Sequence, residues 1–223
     1  MNTLKRSIKE TVLRLIILLF GLTVAHFGVT LFLLADIGSD PFNVLVQGIF
    51  RTLSGFWSFS LLTHGNVHIV MCFIIIIALL FIDRSYIKIG TLVCMLCGGP
   101  IIDFFTWILN PLGIGGTALW VKILCNIAGC VILAIGMGLV IKTDAGTGPN
   151  DLVAVVISDK SHKKFGVIRI ITDLLFILIG WLLGGSVGIG TVICAFLVGP
   201  VADIMMKFEK PLVDKIIGVF INK

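Results

Sequence analysis

Charged residues are scarce in this sequence. Only 13% of the 223 residues are Asp, Glu, Lys or Arg, whereas 58% are hydrophobic, and the mean hydropathy is +1.14. A water-soluble protein of this size needs more charge to cover its surface, so the composition predicts an integral membrane protein. The net charge of +5 does not predict nucleic-acid binding, because the basic residues lie between apolar runs and form no basic stripe.

The sequence also lacks the residue patterns of catalytic and cofactor sites. No Ser-His-Asp or paired-carboxylate arrangement is supported by the spacings, and the glycine-rich residues 184–190 have no strand before them. The six cysteines lie inside apolar runs, where we interpret them as buried packing residues. His64 and His68 are one helical turn apart but have no third ligand, so we interpret them as surface residues. We therefore expect no enzyme, no cofactor and no bound metal.

Six apolar segments are long enough to cross a bilayer as helices, since a hydrocarbon core of about 30 Å needs roughly 20 apolar residues. They are residues 14–35, 67–82, 87–109, 119–141, 167–183 and 189–206. The first segment is longer than the apolar core of a signal peptide and no small-x-small cleavage motif closes it, so we expect it to be retained. The fold class predicted is an all-α membrane protein with six transmembrane helices.

Two shorter helices are predicted between these spans. Residues 41–53 and 149–159 each begin with a proline at the first helical turn, where its missing N–H costs nothing. Each is either re-entrant, with its N-terminus inside the protein, or interfacial. The helical spacing of apolar residues in the tail predicts an interfacial helix within residues 208–223, separate from the sixth span.

Two signatures occur twice and in the same order. Asp36-Ile-Gly-Ser-Asp-Pro is echoed by Asp144-Ala-Gly-Thr-Gly-Pro, and Gly90-Thr91 with Gly99-Pro-Ile-Ile-Asp103 is echoed one hundred residues later, ending at Asp203. Fixed-order self-similarity indicates a duplicated unit. We divide the chain into an N-terminal cytoplasmic segment, 1–13, a first repeat, 14–109, a second repeat, 118–207, and the C-terminal helix.

The distribution of basic residues predicts the orientation. With the N-terminus inside, all of the 17 basic residues except Arg51 and Lys122 fall in cytoplasmic segments. Both termini are then cytoplasmic. Because each repeat contributes three spans, an odd number, the second repeat enters the membrane from the opposite face. An inverted repeat of this kind is typical of many secondary transporters, although some channels share it.

Asp173 is the sharpest candidate for a substrate- or ion-binding residue. It lies within the fifth span, where an ionisable side chain costs about 2.5–3.5 kcal/mol on insertion scales and is a functional candidate by default. Two interpretations stay open. Asp173 belongs to an ion or proton site, or it forms a local i, i+4 pair with Arg169 that anchors the helix.

Four further acids are candidate binding residues at the two mouths of the protein. By the predicted topology, Asp36 and Asp103 face the outside and Asp144 and Asp203 face the inside. The alternative is that they are interfacial helix caps.

The starts of the short helices supply the remaining candidates, Asn43, Asn150 and Asp151. If these helices are re-entrant, their free N–H groups point at a central cavity and favour anionic or carbonyl-bearing ligands. His26 in the first span either joins this polar site or is satisfied locally.

The two repeated signatures, Asp-x-Gly-x-x-Pro after a span and Gly-Thr followed by Gly-Pro-x-x-Asp in a later one, resemble those of the YczE/YyaS/YitT group of bacterial membrane proteins, and YczE-type sequences above all. The resemblance extends from Gly21 to Asp203. It implies a multi-span protein of the bacterial cytoplasmic membrane. The first copy departs from the pattern at Asp40, where the second copy has Gly148.

These observations favour a small secondary transporter for a polar solute or ion. The alternative is a non-transporting accessory protein that stabilises or recruits a partner. The partners expected are the lipid bilayer, the unidentified solute, and either a second copy of the chain or another membrane protein.

Overall fold

The computed structural model describes residues 7–56, 62 and 64–221, so the outer ends of the predicted N-terminal segment and C-terminal helix lie outside the described residues. The described residues form eight α-helices and three single 3₁₀ turns. The α-helices are α1 (Ile8–Ala35), α2 (Pro41–Phe56), α3 (His64–Asp83), α4 (Ile89–Leu109), α5 (Leu119–Lys142), α6 (Pro149–Ser161), α7 (Phe165–Leu182) and α8 (Ile189–Ile221).

All of these α-helices except α2 and α6 are long and apolar enough to cross a membrane. The described part of the chain contains no β-strand. The predicted all-helical class and the six candidate spans are therefore confirmed.

The predicted separate C-terminal helix differs from the structure. α8 continues through Pro200 and Pro211 as one helix, and the tail is its last part. Packing explains the continuity, because Val213 and Ile217 are buried against Ile17 of α1. Tertiary burial of an apolar face sustains a helix beyond a residue of low propensity.

The centre of the fold is the crossing of α1 and α5, whose backbones approach directly at glycines. A Cβ atom on Gly129 would lie 2.6 Å from the carbonyl oxygen of Gly28, and one on Gly136 would lie 2.5 Å from that of Gly21. Neither distance is compatible with a side chain. Small residues of this kind permit close helix packing in membranes, where dispersion rather than the hydrophobic effect holds helices together.

The turns that follow α1 and α5 have the same backbone conformation. Asp36 and Asp144 have φ values of 50° and 52°, and two residues later Gly38 and Gly146 have φ values of 142° and 133°. Only glycine adopts the second of these conformations readily. This requirement accounts for the glycine in both Asp-x-Gly motifs.

Each of these turns hydrogen-bonds to the last long helix of the other half of the chain. The N–H of Gly190 in α8 donates to the carbonyl of Ile37, and the N–H of Gly90 in α4 donates to the carbonyl of Ala145, both at 2.9 Å. The first turn of each donor helix, α8 or α4, thus supplies a partner for a carbonyl of the turn, and the turn satisfies a free N–H at the helix start.

The short helices α2 and α6 also contact the opposite half of the chain. Arg51 of α2 donates to the carbonyl oxygen of Gly184 at 2.6 Å, in the connection between α7 and α8. Conversely, Asp159 of α6 accepts from the hydroxyl of Tyr86 at 3.1 Å, in the connection between α3 and α4, and Lys160 lies 3.3 Å from Asp83. Each short helix is therefore attached to a connection in the other half.

The two halves differ in how tightly their last helices pack. α7 packs along α8, whereas α3 has no comparable contact with α4. The apolar windows of α3 and α4 are only 22% and 11% buried within the protein, against 39–44% for the other four spans. The α3–α4 side of the protein is consequently its most open side.

We predict that Gly129→Val lowers the midpoint of thermal unfolding in mild detergent, because the new side chain would meet the α1 backbone, which cannot rotate away. Overpacking of a tight contact costs about 1–3 kcal/mol or more. Gly218→Val is the matched control, since nothing lies within 4 Å of a Cβ atom at Gly218 in α8. Equal unfolding midpoints for the two variants would contradict the assigned packing.

Candidate functional site: a cavity between the short helices

A cavity of about 380 Å³ lies at the centre of the protein, and all eight α-helices contribute to its wall. This volume is in the range of small-molecule sites. Most of the wall is apolar, with residues such as Leu22, Phe32, Met95 and Leu133. The polar groups come mainly from the first turns of α2 and α6, which both face this space. The polar and charged lining residues are His26, Asp40, Asn43, His68, Thr147, Asn150, Asp151 and Arg169.

The start of α2 is capped by its own acid. The carboxylate of Asp40 accepts from the backbone N–H of Asn43 at 3.1 Å and from the side-chain amide of Asn43 at 2.5 Å. This is the arrangement by which an aspartate at the N-cap satisfies a free N–H of the first turn. Among the described residues, no ion pair includes Asp40.

The start of α6 is built differently. Gly148 occupies the N-cap and provides no side-chain acceptor. The acid lies inside the first turn instead, where the amide of Asn150 donates to Asp151 at 3.1 Å. Thr147, which precedes the cap, is 3% exposed, and its hydroxyl has no hydrogen-bond partner among the described residues.

Arg169 of α7 is the charged centre of the site. Its Nη1 donates to Asp151 at 2.5 Å and its Nε donates to Asp173, one helical turn further on, at 3.0 Å. The side chains of Arg169 and Asp173 are 7% and 1% exposed. A buried guanidinium is tolerated only when it is paired, and here two carboxylates pair with it. The second oxygen of Asp173 has no partner among the described residues.

The structure brings together some of the sequence-predicted candidates and separates others. Asn43, Asn150 and Asp151 line the cavity, and Asp173 lies behind the wall, joined to it through Arg169. The four candidates that lie away from the cavity wall are Asp36, Asp103, Asp144 and Asp203. The first three are exposed, and Asp203 is half-buried beside Gly166.

Asp144 instead forms an ion pair with Lys88 at the start of α4. The Lys88 ammonium also donates to the backbone carbonyl of Asp144 at 3.1 Å. A small cavity of about 50 Å³ adjoins this pair and shares Thr147 with the central cavity. In the other half, the position that corresponds to Lys88 is Gly188, and its neighbour Asp36 is exposed.

Sequence reasoning missed four residues of the cavity wall as site residues: Asp40, His68, Thr147 and Arg169. The sequence could have indicated Asp40 as a site residue, because it is an acid at a position where the second copy of the repeat has Gly148. His68 was interpreted as a surface residue, yet its ring packs against that of Phe42, with centroids 5.2 Å apart. His26 also lines the cavity, and its Nδ1 lies 2.8 Å from the carbonyl oxygen of Leu22 in the same helix.

The fold and cavity define a class, namely helical membrane proteins with several spans and a central polar cavity. Comparison with known proteins gives the family: residues 12–207 match the model of a family of unknown function, DUF6198, and the chain belongs to that family.

Three curated relatives are similar over most of their length. The uncharacterized membrane protein YczE of Bacillus subtilis is 28% identical over 91% of this chain and 88% of its own. An uncharacterized protein of Haemophilus influenzae is 30% identical over 86% and 82%, and the uncharacterized protein YyaS of Bacillus subtilis is 23% identical over 87% and 91%. No solved structure matches the chain. The resemblance to the YczE-type group is thus confirmed, and the chain is a multi-pass membrane protein.

We predict that Arg169→Met destabilises the protein by about 3–5 kcal/mol, because it leaves Asp151 and Asp173 buried without a counter-charge. Adding Asp173→Asn to that variant should restore part of the loss, since one of the unpaired charges is then removed. Thermal unfolding in detergent measures both effects. Arg84→Met is the control, at an exposed arginine that forms no ion pair among the described residues. A double variant no more stable than Arg169→Met would contradict the pairing of Arg169 with Asp173.

Proposed function

We propose that this protein is a secondary transporter for small polar solutes, built from two inverted three-span repeats in the cytoplasmic membrane of a bacterium. The observation that carries the proposal is the convergence of the α2 and α6 starts, one from each half of the chain, on a single cavity. Secondary transporters with inverted repeats place their substrate sites at the interface of the repeats, where interrupted helices end.

The reciprocal contacts support the inverted repeat. The turn after α1 bonds to α8, the turn after α5 bonds to α4, and the two hydrogen bonds have the same length. Two halves with equivalent contacts and an odd number of spans each are related by a twofold axis in the membrane plane. Both termini then lie on one side, which the basic residues assign to the cytoplasm.

Alternating access follows from this arrangement. α2 is attached to the α7–α8 connection and α6 to the α3–α4 connection, so a tilt of one half moves a short helix of the other. Such a motion opens the cavity to one side while it closes the other, around a site that stays in place.

Within the site, Arg169 acts as an internal counter-ion. It holds Asp151 and Asp173, with distances of 2.5 and 3.0 Å. A positively charged ion or solute group that binds Asp151 competes with Arg169 for the same carboxylate. Occupation of the cavity is thereby linked to the buried Asp173, which is the residue we assign to coupling.

A second candidate function is an accessory role in which the protein binds another membrane protein or a second copy of itself. The observation that favours it is the exposed apolar surface of α3 and α4, on which Phe81, Leu96 and Trp107 are 88%, 75% and 76% exposed. Lipid covers such a surface equally well. Pull-down in mild detergent discriminates the two, because an accessory protein should return one stoichiometric partner.

The inverted repeat predicts that reporter fusions after Asp36 and after Asp144 lie in opposite compartments. The fusion after Asp36 should be active as an alkaline phosphatase fusion, which requires export, and the fusion after Asp144 as a fluorescent cytoplasmic reporter. The same compartment for both fusions would overturn the inverted arrangement.

Transport is tested with purified protein in proteoliposomes adsorbed to a solid-supported membrane, with ammonium, choline, lysine, glutamate and lactate as probes. We expect a current with at least one probe, reduced at least about tenfold by Asp173→Asn because this residue is assigned to coupling. Asp214→Asn, at an exposed acid in the tail of α8, is the control. No current with any probe, together with a stoichiometric partner in pull-down, would favour the accessory function.

A further inference from the structure

We infer that the cavity binds an organic cation with an apolar body, of the aralkylammonium type. The inference rests on the proposed function, in that it assigns the substrate class of the same cavity. The part of the cavity wall formed by the starts of α2 and α6 and by Arg169 is called its polar end. The inference follows from the net charge of this polar end and from the hydrogen-bonding groups that are unused there. It also follows from the apolar composition of the remaining wall.

The polar end carries an excess of negative charge. Three carboxylates, those of Asp40, Asp151 and Asp173, lie at or behind it, and they face one guanidinium, that of Arg169. Arg169 is engaged by Asp151 and Asp173, so its charge is already balanced within the protein. Asp40 is left without a cation among the described residues. A cation that binds beside Asp40 restores neutrality, whereas an anion increases the imbalance.

The donors at the start of α2 are occupied by the protein's own acid. The N–H and the amide of Asn43 donate to Asp40, and in α6 the amide of Asn150 donates to Asp151. Beside Asp40, what is left for a ligand is mainly acceptor capacity on carboxylate oxygens. From the sequence we expected these helix ends to favour an anionic or carbonyl-bearing ligand. At α2 the carboxylate of Asp40 already occupies the N-cap, so this end favours a cation instead.

An independent observation points to a ligand in the same cavity. Thr147 belongs to the cavity wall and is 3% exposed, and its buried hydroxyl oxygen has no hydrogen-bond partner among the described residues. A buried hydroxyl without a partner costs roughly 1–3 kcal/mol. Because a hydroxyl both donates and accepts, it indicates a polar ligand group near the start of α6, and the charge of that ligand is assigned from Asp40.

The remaining wall favours an apolar body on the ligand. It contains the aromatic rings of Phe32 and Phe42 and many aliphatic side chains. Where the second repeat has Arg169, the equivalent position of the first repeat is Ile69, which lines the cavity and is 50% exposed.

Gly99 of α4 also lines the cavity, and a Cβ atom at this glycine would meet nothing within 4 Å. α3 and α4 both line the cavity, have little contact with each other, and are the least buried of the six candidate spans. An amphipathic cation partitions into the lipid interface and would approach the cavity from this side.

The test uses three probes that share one phenyl-ethyl scaffold: phenethylammonium, a cation, phenylalanine, a zwitterion, and 3-phenylpropionate, an anion. Binding is measured by isothermal titration calorimetry and by thermal shift on the full-length protein in detergent. We expect phenethylammonium to bind, phenylalanine to bind more weakly, and 3-phenylpropionate to give no signal. Methylammonium, which lacks the apolar body, should bind at least about tenfold more weakly than phenethylammonium.

Asp40→Asn should weaken phenethylammonium at least about tenfold, since it removes the unpaired charge but keeps an oxygen that can cap α2. Asp214→Asn is the control and should leave the affinity unchanged. Preference for 3-phenylpropionate or phenylalanine, absence of binding by the wild-type protein, or full affinity in Asp40→Asn would each overturn the inference.

Binding in detergent does not require transport. If phenethylammonium binds but, added to the probes of the proteoliposome assay, gives no current, the transport proposal fails and the assigned ligand class stands. If an anion is transported and phenethylammonium does not bind, the ligand class fails and transport stands.

Discussion

Two backbone hydrogen bonds, from Gly190 to Ile37 and from Gly90 to Ala145, hold this structure in its arrangement. Each joins a glycine turn to the first residues of a helix in the other half of the chain. Because α2 and α6 each begin four residues after these carbonyls, the two bonds also fix the position of the short helix starts. The polar groups at the starts of α2 and α6 are therefore positioned in the cavity by main-chain hydrogen bonds. Side-chain contacts such as those of Asp40 and Arg169 add to this positioning.

Arg169, Asp151 and Asp173 form a charged network inside a protein interior that is otherwise apolar. Arg169 and Asp173 are buried together, and the cost of removing them from water is offset only while both partners keep their hydrogen bonds. Asp151 belongs to the same network but also lines the cavity. It is the residue through which a change in the cavity reaches the buried pair, whereas the tight glycine crossing of α1 and α5 provides a rigid frame.

Much of the fold could be predicted from the sequence, because hydropathy, proline at helix starts and the repeated glycine motifs report local physical requirements. Asn43, Asn150 and Asp151 were identified as residues of the short helix starts for this reason. The distance of the mouth acids from the cavity could not be predicted, since the positions of Asp103 and Asp203 depend on which face of a long helix turns inward. Their role as binding residues at the mouths stays a prediction. The place of Thr147 in the cavity wall depends on contacts between distant segments, which periodicity does not contain. The tail of α8 was predicted as a separate helix because its packing on Ile17 is also long-range.

The ion pair between Lys88 and Asp144 has no counterpart at Asp36, where the equivalent of Lys88 is Gly188. A duplicated protein with identical halves would populate its two exchanged conformations equally, as symmetry requires. If the chain transports as proposed, an ion pair that only one half forms would favour the conformation that contains it. High ionic strength, which screens exposed charges, should then bring the two conformations closer in energy.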